Sequence, residues 1–161
     1  MSAEAAVRRG ALEGLRVLEF GSLLAGPFVS RLLGDYGADV IKVEAPDTPD
    51  ILREFGINRY EGKALWWPIQ SRNKRLITLN LRDPRGAAIA RDMLAQCDVL
   101  VENFRPGTLE KWGLGPAVLE KLNPRLVIAR VSGYGQTGPY AERPGYASVG
   151  EAMGGMRYIN G

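Results

Sequence analysis

"LRVLEFGSLLAGPFVSRLLGDYGADVIKVE", residues 15–44, decides the fold. Its two ends, LRVLEF (15–20) and DVIKVE (39–44), are apolar runs of strand length. Between them AGPFVSRLLGDYGA carries Pro27 near its start and Gly37 at its end, the punctuation of a helix. A strand–helix–strand unit of this length is a crossover, and crossovers join parallel strands.

The same alternation continues outward. LITLNL (76–81), DVLVEN (98–103) and RLVIARVS (125–132) read as further strands. RGAAIARDMLAQC (85–97) reads as a helix, with Asp83 as its cap and Pro84 at its first position. PAVLEKLN (116–123) is a short helix ended by Asn123-Pro124. ASVGEAMGGMRYI (147–159) reads as helical, weakened by Gly154-Gly155. Residues 45–56 are a loop with a short helix, 63–75 carry adjacent tryptophans and a basic cluster, and 133–146 are a Gly/Pro-rich loop. Residues 1–11 read as a flexible arm. Near-continuous apolar strands alternating with helices predict an α/β fold, a three-layer parallel sheet.

Composition excludes much. The 161 residues suit one domain, and a net charge of +3, spread over strand ends and helix faces, does not call for nucleic acid. There is no histidine, so no mechanism can draw imidazole from this chain. One cysteine, Cys97, allows no intrachain disulfide and no cysteine-based metal site; it reads as a small buried apolar residue. No stretch resembles a membrane span or a signal peptide, and a cytoplasmic setting is the expectation.

In parallel sheets ligands bind outside the carboxyl ends of the strands. Those ends hold Gly21–Pro27, Glu44–Ala45, Arg82–Asp83, Asn103–Gly107 and Gly133–Gly145, each polar, glycine-rich or both. GSLLAGPF (21–28) lacks the Lys-Ser/Thr of a phosphate loop and the spacing of a dinucleotide fingerprint. Glu44 imitates a ribose-binding acid, without the fingerprint that should precede it. Gly21 and Gly26 then suggest close backbone approach by an anion or carbonyl oxygen at a helix start. SRNKR (71–75) is either a solvated strand entrance or an anion contact. In VENFRPG (101–107), an exposed Phe104 beside Arg105 suits an adenine face or pantetheine arm next to a phosphate.

These segments together carry a resemblance. LEGLRVLEFGSLLAGP, LGDYGADVIKVE, RNKRLITLNLRDPRG, VENFRPGTLEKWGLG, LNPRLVIARVSGYGQTGPY and GYASVGEAMGGMRYING are similar, in order, to the N-terminal part of family III coenzyme A transferases, the relatives of formyl-CoA and crotonobetainyl-CoA transferases. The resemblance covers Leu12 to Gly161. It implies the incomplete large domain of such an enzyme, Rossmann-like, in an interlocked homodimer, without the small domain and the C-terminal return. It implies coenzyme A or acyl-CoA as substrate beside a carboxylic acid, with no permanently bound cofactor and no metal. By similarity Leu24 and Ala25 line the thioester end, and Leu79, Asn80, Leu81 and Arg82 follow the nucleotide. Asn103, Phe104, Arg105 and Lys111 also contact the coenzyme, and Gly145 and Tyr146 lie near the reacting carbonyl. The family's chemistry is covalent: an aspartate attacks the thioester, forming an anhydride and then an aspartyl-CoA thioester.

The sequence departs from that pattern. The nucleophilic aspartate is expected after Gly161, so no catalytic residue is assigned within the chain, and the 161 residues alone are expected to be inactive. Leu24 stands where formyl-CoA transferases carry glutamine, which disfavours oxalate and formate. Gly145-Tyr146-Ala147 replaces the Gly-His-Asp of α-methylacyl-CoA racemases, removing one acid/base group, and differs from the transferases' common Gly-Tyr-Asp. GYGQTGP resembles members handling dicarboxylates such as succinyl-CoA and glutarate. A racemase-like isomerase and a non-catalytic coenzyme A-binding module remain alternatives.

Overall fold

A computed structural model describes residues 10–160. Five strands form a parallel sheet: β1 (Arg16–Phe20), β2 (Asp39–Glu44), β5 (Lys74–Thr78), β6 (Val99–Glu102) and β7 (Val127–Arg130), in the order β5-β2-β1-β6-β7. Val17 pairs with Val40 on one side and Val99 on the other, so the hydrophobic faces register across the middle of the sheet. The first strand is central, and the chain winds outward from it in both directions. Such an order creates a switch point between β1 and β6, where consecutive loops leave toward opposite faces.

Alternation along the strands divides the core. Val17, Val40 and Val101 face α1 (Ala25–Asp35), packing with Val29 and Leu33. Leu18, Phe20, Val43 and Leu100 face the other way. They pack on α3 (Pro84–Leu94) through Ala87, Ala90 and Leu94, and on α5 (Pro116–Leu122) through Leu119. The result is the expected three-layer α/β sandwich. Cys97 lies in the second cluster, and burial raises its thiol pKa, as befits an inert packing residue.

Several elements differ from the sequence pattern. The third strand runs over Lys74–Thr78 rather than 76–81. The chain turns at Asn80, whose backbone O accepts from Asp83 N, and α3 packs on that turn so closely that a Cβ on Gly86 would meet Asn80 O at 2.0 Å. A small hairpin, β3 (Arg59–Tyr60) with β4 (Lys63–Ala64), and the short helices α2 (Trp66–Ser71) and α4 (Thr108–Lys111) were not anticipated. The last helix divides into α6 (Ala147–Met153) and α7 (Met156–Asn160), because Gly155 takes φ +76° between them. Of the expected N-terminal arm, residues 1–9 lie outside the described residues. Gly10 is already packed, since a Cβ there would lie 2.5 Å from Tyr36 O.

The SRNKR cations are not free for an anion. Arg72 binds Asp35 and Arg75 binds Asp39. Lys74 is buried against Glu19 at 2.7 Å. These residues lie at the amino end of the sheet, away from the strand ends where ligands collect, so the anion reading is withdrawn.

Candidate functional site

The loops that follow β1 and β6 meet over the switch point. Asn103 joins them: its Oδ1 accepts from Ser22 N (3.1 Å) and its Nδ2 donates to Ser22 O (2.9 Å). This side chain also explains Gly21 and Gly26. A Cβ on Gly21 would lie 2.1 Å from Asn103 Oδ1, and one on Gly26 3.0 Å from it. The close approach inferred at these glycines is therefore made by an internal amide rather than by a ligand.

Buried charges hold each loop from below. Beneath the first, Glu19 accepts from Lys42 Nζ (2.8 Å), Lys74 Nζ (2.7 Å) and Ser30 Oγ. Lys42 also reaches Gly21 O at 2.8 Å and Asp50 Oδ2 at 2.9 Å. Two acids and two lysines thus balance inside the protein. Burial pushes the Lys42 pKa down, but Glu19 and Asp50 outweigh it and hold the group above its ordinary value. Lys74 ends below its ordinary value, because burial there exceeds the pull of Glu19. Beneath the second loop, fully buried Glu102 accepts from Phe104 N (2.7 Å) and from Arg130 Nε (2.7 Å). Arg130 also pairs with Glu110, whose carboxyl it holds below the usual range.

Two recesses open at these strand ends. The smaller, about 230 Å³, is lined by Leu79, Asn80, Leu81 and Arg82 together with Glu44, Asp50 and Trp112. The larger, about 590 Å³, is lined by Leu24, Ala25, Asn103, Arg105, Gly145 and Tyr146, with Arg143 at its wall. Phe104 lines both. Its ring is half-buried rather than exposed, packed edge-on against Trp112 with centroids 5.1 Å apart. Of the residues that the resemblance assigns to coenzyme A, only Lys111 borders neither recess; it is exposed on α4.

Glu44 is not a free ribose-binding acid. It accepts from Asp50 N (2.8 Å) and binds Arg53 at 2.6 Å. The loop at 133–145 closes on itself, with Gly133 and Gly145 in backbone contact, Tyr134 against Tyr140, and the Arg143 guanidinium 4.1 Å over the Tyr140 ring. Among the described residues no cluster of histidine, cysteine, aspartate and glutamate could hold a metal. Sequence reading missed Asp50, Lys42 and Arg143. A lysine inside an apolar strand was the available signal for the second.

Strand order, switch point and paired recesses are those of a doubly wound α/β domain. Residues 12–161 match the family CoA-transferase family III, and the chain belongs to that family. Over 150 residues it is 55% identical to the succinyl-CoA–D-citramalate CoA-transferase of Chloroflexus aurantiacus, covering 93% of this chain and 37% of that protein. It is 43% identical to the succinyl-CoA:glutarate CoA-transferase of Mus musculus, over 93% of this chain and 34% of that protein. The crystal structure of a CAIB/BAIF family protein from Brucella suis superposes with a TM-score of 0.84 at 42% identity, covering 92% of this chain and 40% of that one. The chain therefore spans somewhat over a third of the length of the curated relatives it matches.

Proposed function

We propose that residues 12–161 are the N-terminal, acyl-CoA-binding part of the large domain of a CoA transferase. The whole enzyme moves coenzyme A from a thioester to a free carboxylic acid through an aspartyl anhydride and thioester, the aspartate lying outside this chain. The observation that carries the reading is the pair of recesses that meet at Phe104 over the switch point. The nucleotide occupies the smaller one, along Leu79–Arg82, and the thioester end enters the larger one beside Leu24, Ala25, Gly145 and Tyr146. Lys111, outside both, reaches a phosphate only by extending from α4.

The acyl group carries a second carboxylate. The larger recess is lined by Arg105 and Arg143 and by no acid, and neither arginine forms an ion pair with another described residue. The relatives named for succinyl-CoA support the same class. Kinship with formyl-CoA and crotonobetainyl-CoA transferases then extends to scaffold and covalent chemistry, not to substrate. The enzyme works in the cytoplasm as an interlocked homodimer. Exposed Met153, Met156, Tyr158 and Ile159 on α6 and α7 supply apolar surface for the remaining chain or a second copy.

Mass spectrometry of the enzyme in its natural length, incubated with succinyl-CoA, tests the reading. A coenzyme A or acyl adduct on an aspartate is expected; no adduct and no transfer to any carboxylic acid would refute it. The 161 residues alone are expected to bind coenzyme A without transferring it.

A further inference from the structure

We propose that Asp50 is a positioning residue that couples the two recesses, holding the wall of the larger one from inside the wall of the smaller. The key conformation is at Leu23, which adopts φ +66°, a left-handed geometry unfavourable for leucine. Leu23 N donates to Asp50 Oδ1 at 3.0 Å, and the same oxygen accepts from Leu52 N at 3.0 Å. Asp50 Oδ2 faces Lys42 Nζ, and the Asp50 carboxylate is 1% exposed. Its own N–H is tied to Glu44, at the end of β2.

Buried charges anchor three backbone atoms of one short stretch: Gly21 O by Lys42, Leu23 N by Asp50 and Pro27 O by Lys74. The turn is therefore shaped by the interior rather than by contacts of its own. Immediately after it, Leu24 and Ala25 open α1 with no side-chain cap and line the larger recess. Among the charged anchors, Asp50 alone also lines the smaller recess. Contacts made there bear on the carboxylate that fixes Leu23. Misplacing a reacting group by about 1 Å can cost about 100-fold in rate.

The consequence for catalysis rests on the transferase reading; the consequence for the turn does not. Asp50→Ala is compared with Asp50→Asn, which keeps an oxygen acceptor for Leu23. Hydrogen exchange at the Leu23 amide should quicken about tenfold or more in Asp50→Ala, while β1 and β6 amides stay protected. Asp50→Asn should restore most of that protection. In the natural-length enzyme, kcat with succinyl-CoA should fall about tenfold or more in Asp50→Ala and return most of the way in Asp50→Asn. If Asp50→Ala does not fold, Lys42→Met/Asp50→Ala, which leaves the buried charges balanced, carries the same expectation. Unchanged exchange at Leu23 in a folded variant overturns the proposal, as does an Asp50→Asn protein as impaired as Asp50→Ala. A wild-type enzyme that transfers no coenzyme A refutes the transferase reading instead and leaves the exchange result to decide the positioning role.

Discussion

Asn103 ties two loops that are 81 residues apart in the chain. In the sequence it stands beside Phe104 and Arg105; in the fold both ends of its amide bond Ser22, and the side chain also lines the larger recess. No local signal tells a side chain aimed at solvent from one aimed at a distant backbone, which is why this part of the site was illegible. The contact is testable by non-additivity. Gly21→Ala drives a methyl into Asn103 and should cost about 1–3 kcal/mol in urea unfolding. Asn103→Ala should also destabilise, by removing two hydrogen bonds. The double variant should cost clearly less than the two together, because the clash has lost its partner. Buried charge gives the second prediction at this scale. Glu19→Ala leaves Lys42 and Lys74 facing each other without their shared acid and should cost about 3–5 kcal/mol. A Glu19→Ala protein as stable as wild type would show that the buried lysines find other partners.

Among the elements, the sequence was most legible where backbone chemistry is local. β2 was read to the residue, and α3 begins where Asp83 and Pro84 require, with Asp83 accepting from Arg85 N. Asp83→Ala should therefore cost about 1 kcal/mol, seen as a lower urea midpoint with an unchanged slope. β5 was misplaced because its side chains are read in isolation. Lys74 resembles a solvated entrance until β2 supplies its register and places it opposite Val40, pointing at Glu19. The β3–β4 hairpin has two residues per strand, too short for any periodicity. Glu44, at the end of β2, gives an element-level pH test. Burial raises its pKa, but Arg53 and the Asp50 N–H overcome this and hold it below the ordinary 4.5. Its contribution is thus present above pH 4.5 and lost as pH falls through the lower folded value. Stability curves of wild type and Glu44→Gln should be separated at neutral pH and converge in that acid range. A constant gap down to the lowest pH would deny the clamp its electrostatic origin.

For the molecule as a whole, the parallel order around β1 placed the site before any side chain was located. Five strand ends were polar or glycine-rich, and both recesses open among them. What the sequence could not supply was the partition of those residues between two recesses, since that depends on how the β1 and β6 loops, tied by Asn103, divide the space over the strand ends. The partition makes a claim about selectivity. Arg143 lies over Tyr140 at the wall of the larger recess, and Arg105 lines the same space. A carboxylate at the far end of the acyl chain would find cations there, whereas a methyl would leave them solvated. A hydrogen bond between charged groups contributes about 1.5–3 kcal/mol. Arg143→Gln should therefore weaken succinyl-CoA by about 10- to 100-fold while leaving butyryl-CoA, of the same chain length, nearly unaffected. Calorimetric titration of both thioesters into wild type and variant measures that ratio directly. Equal losses for the two would assign Arg143 to the shared coenzyme instead of the acyl end, and no loss for either would remove it from the binding surface.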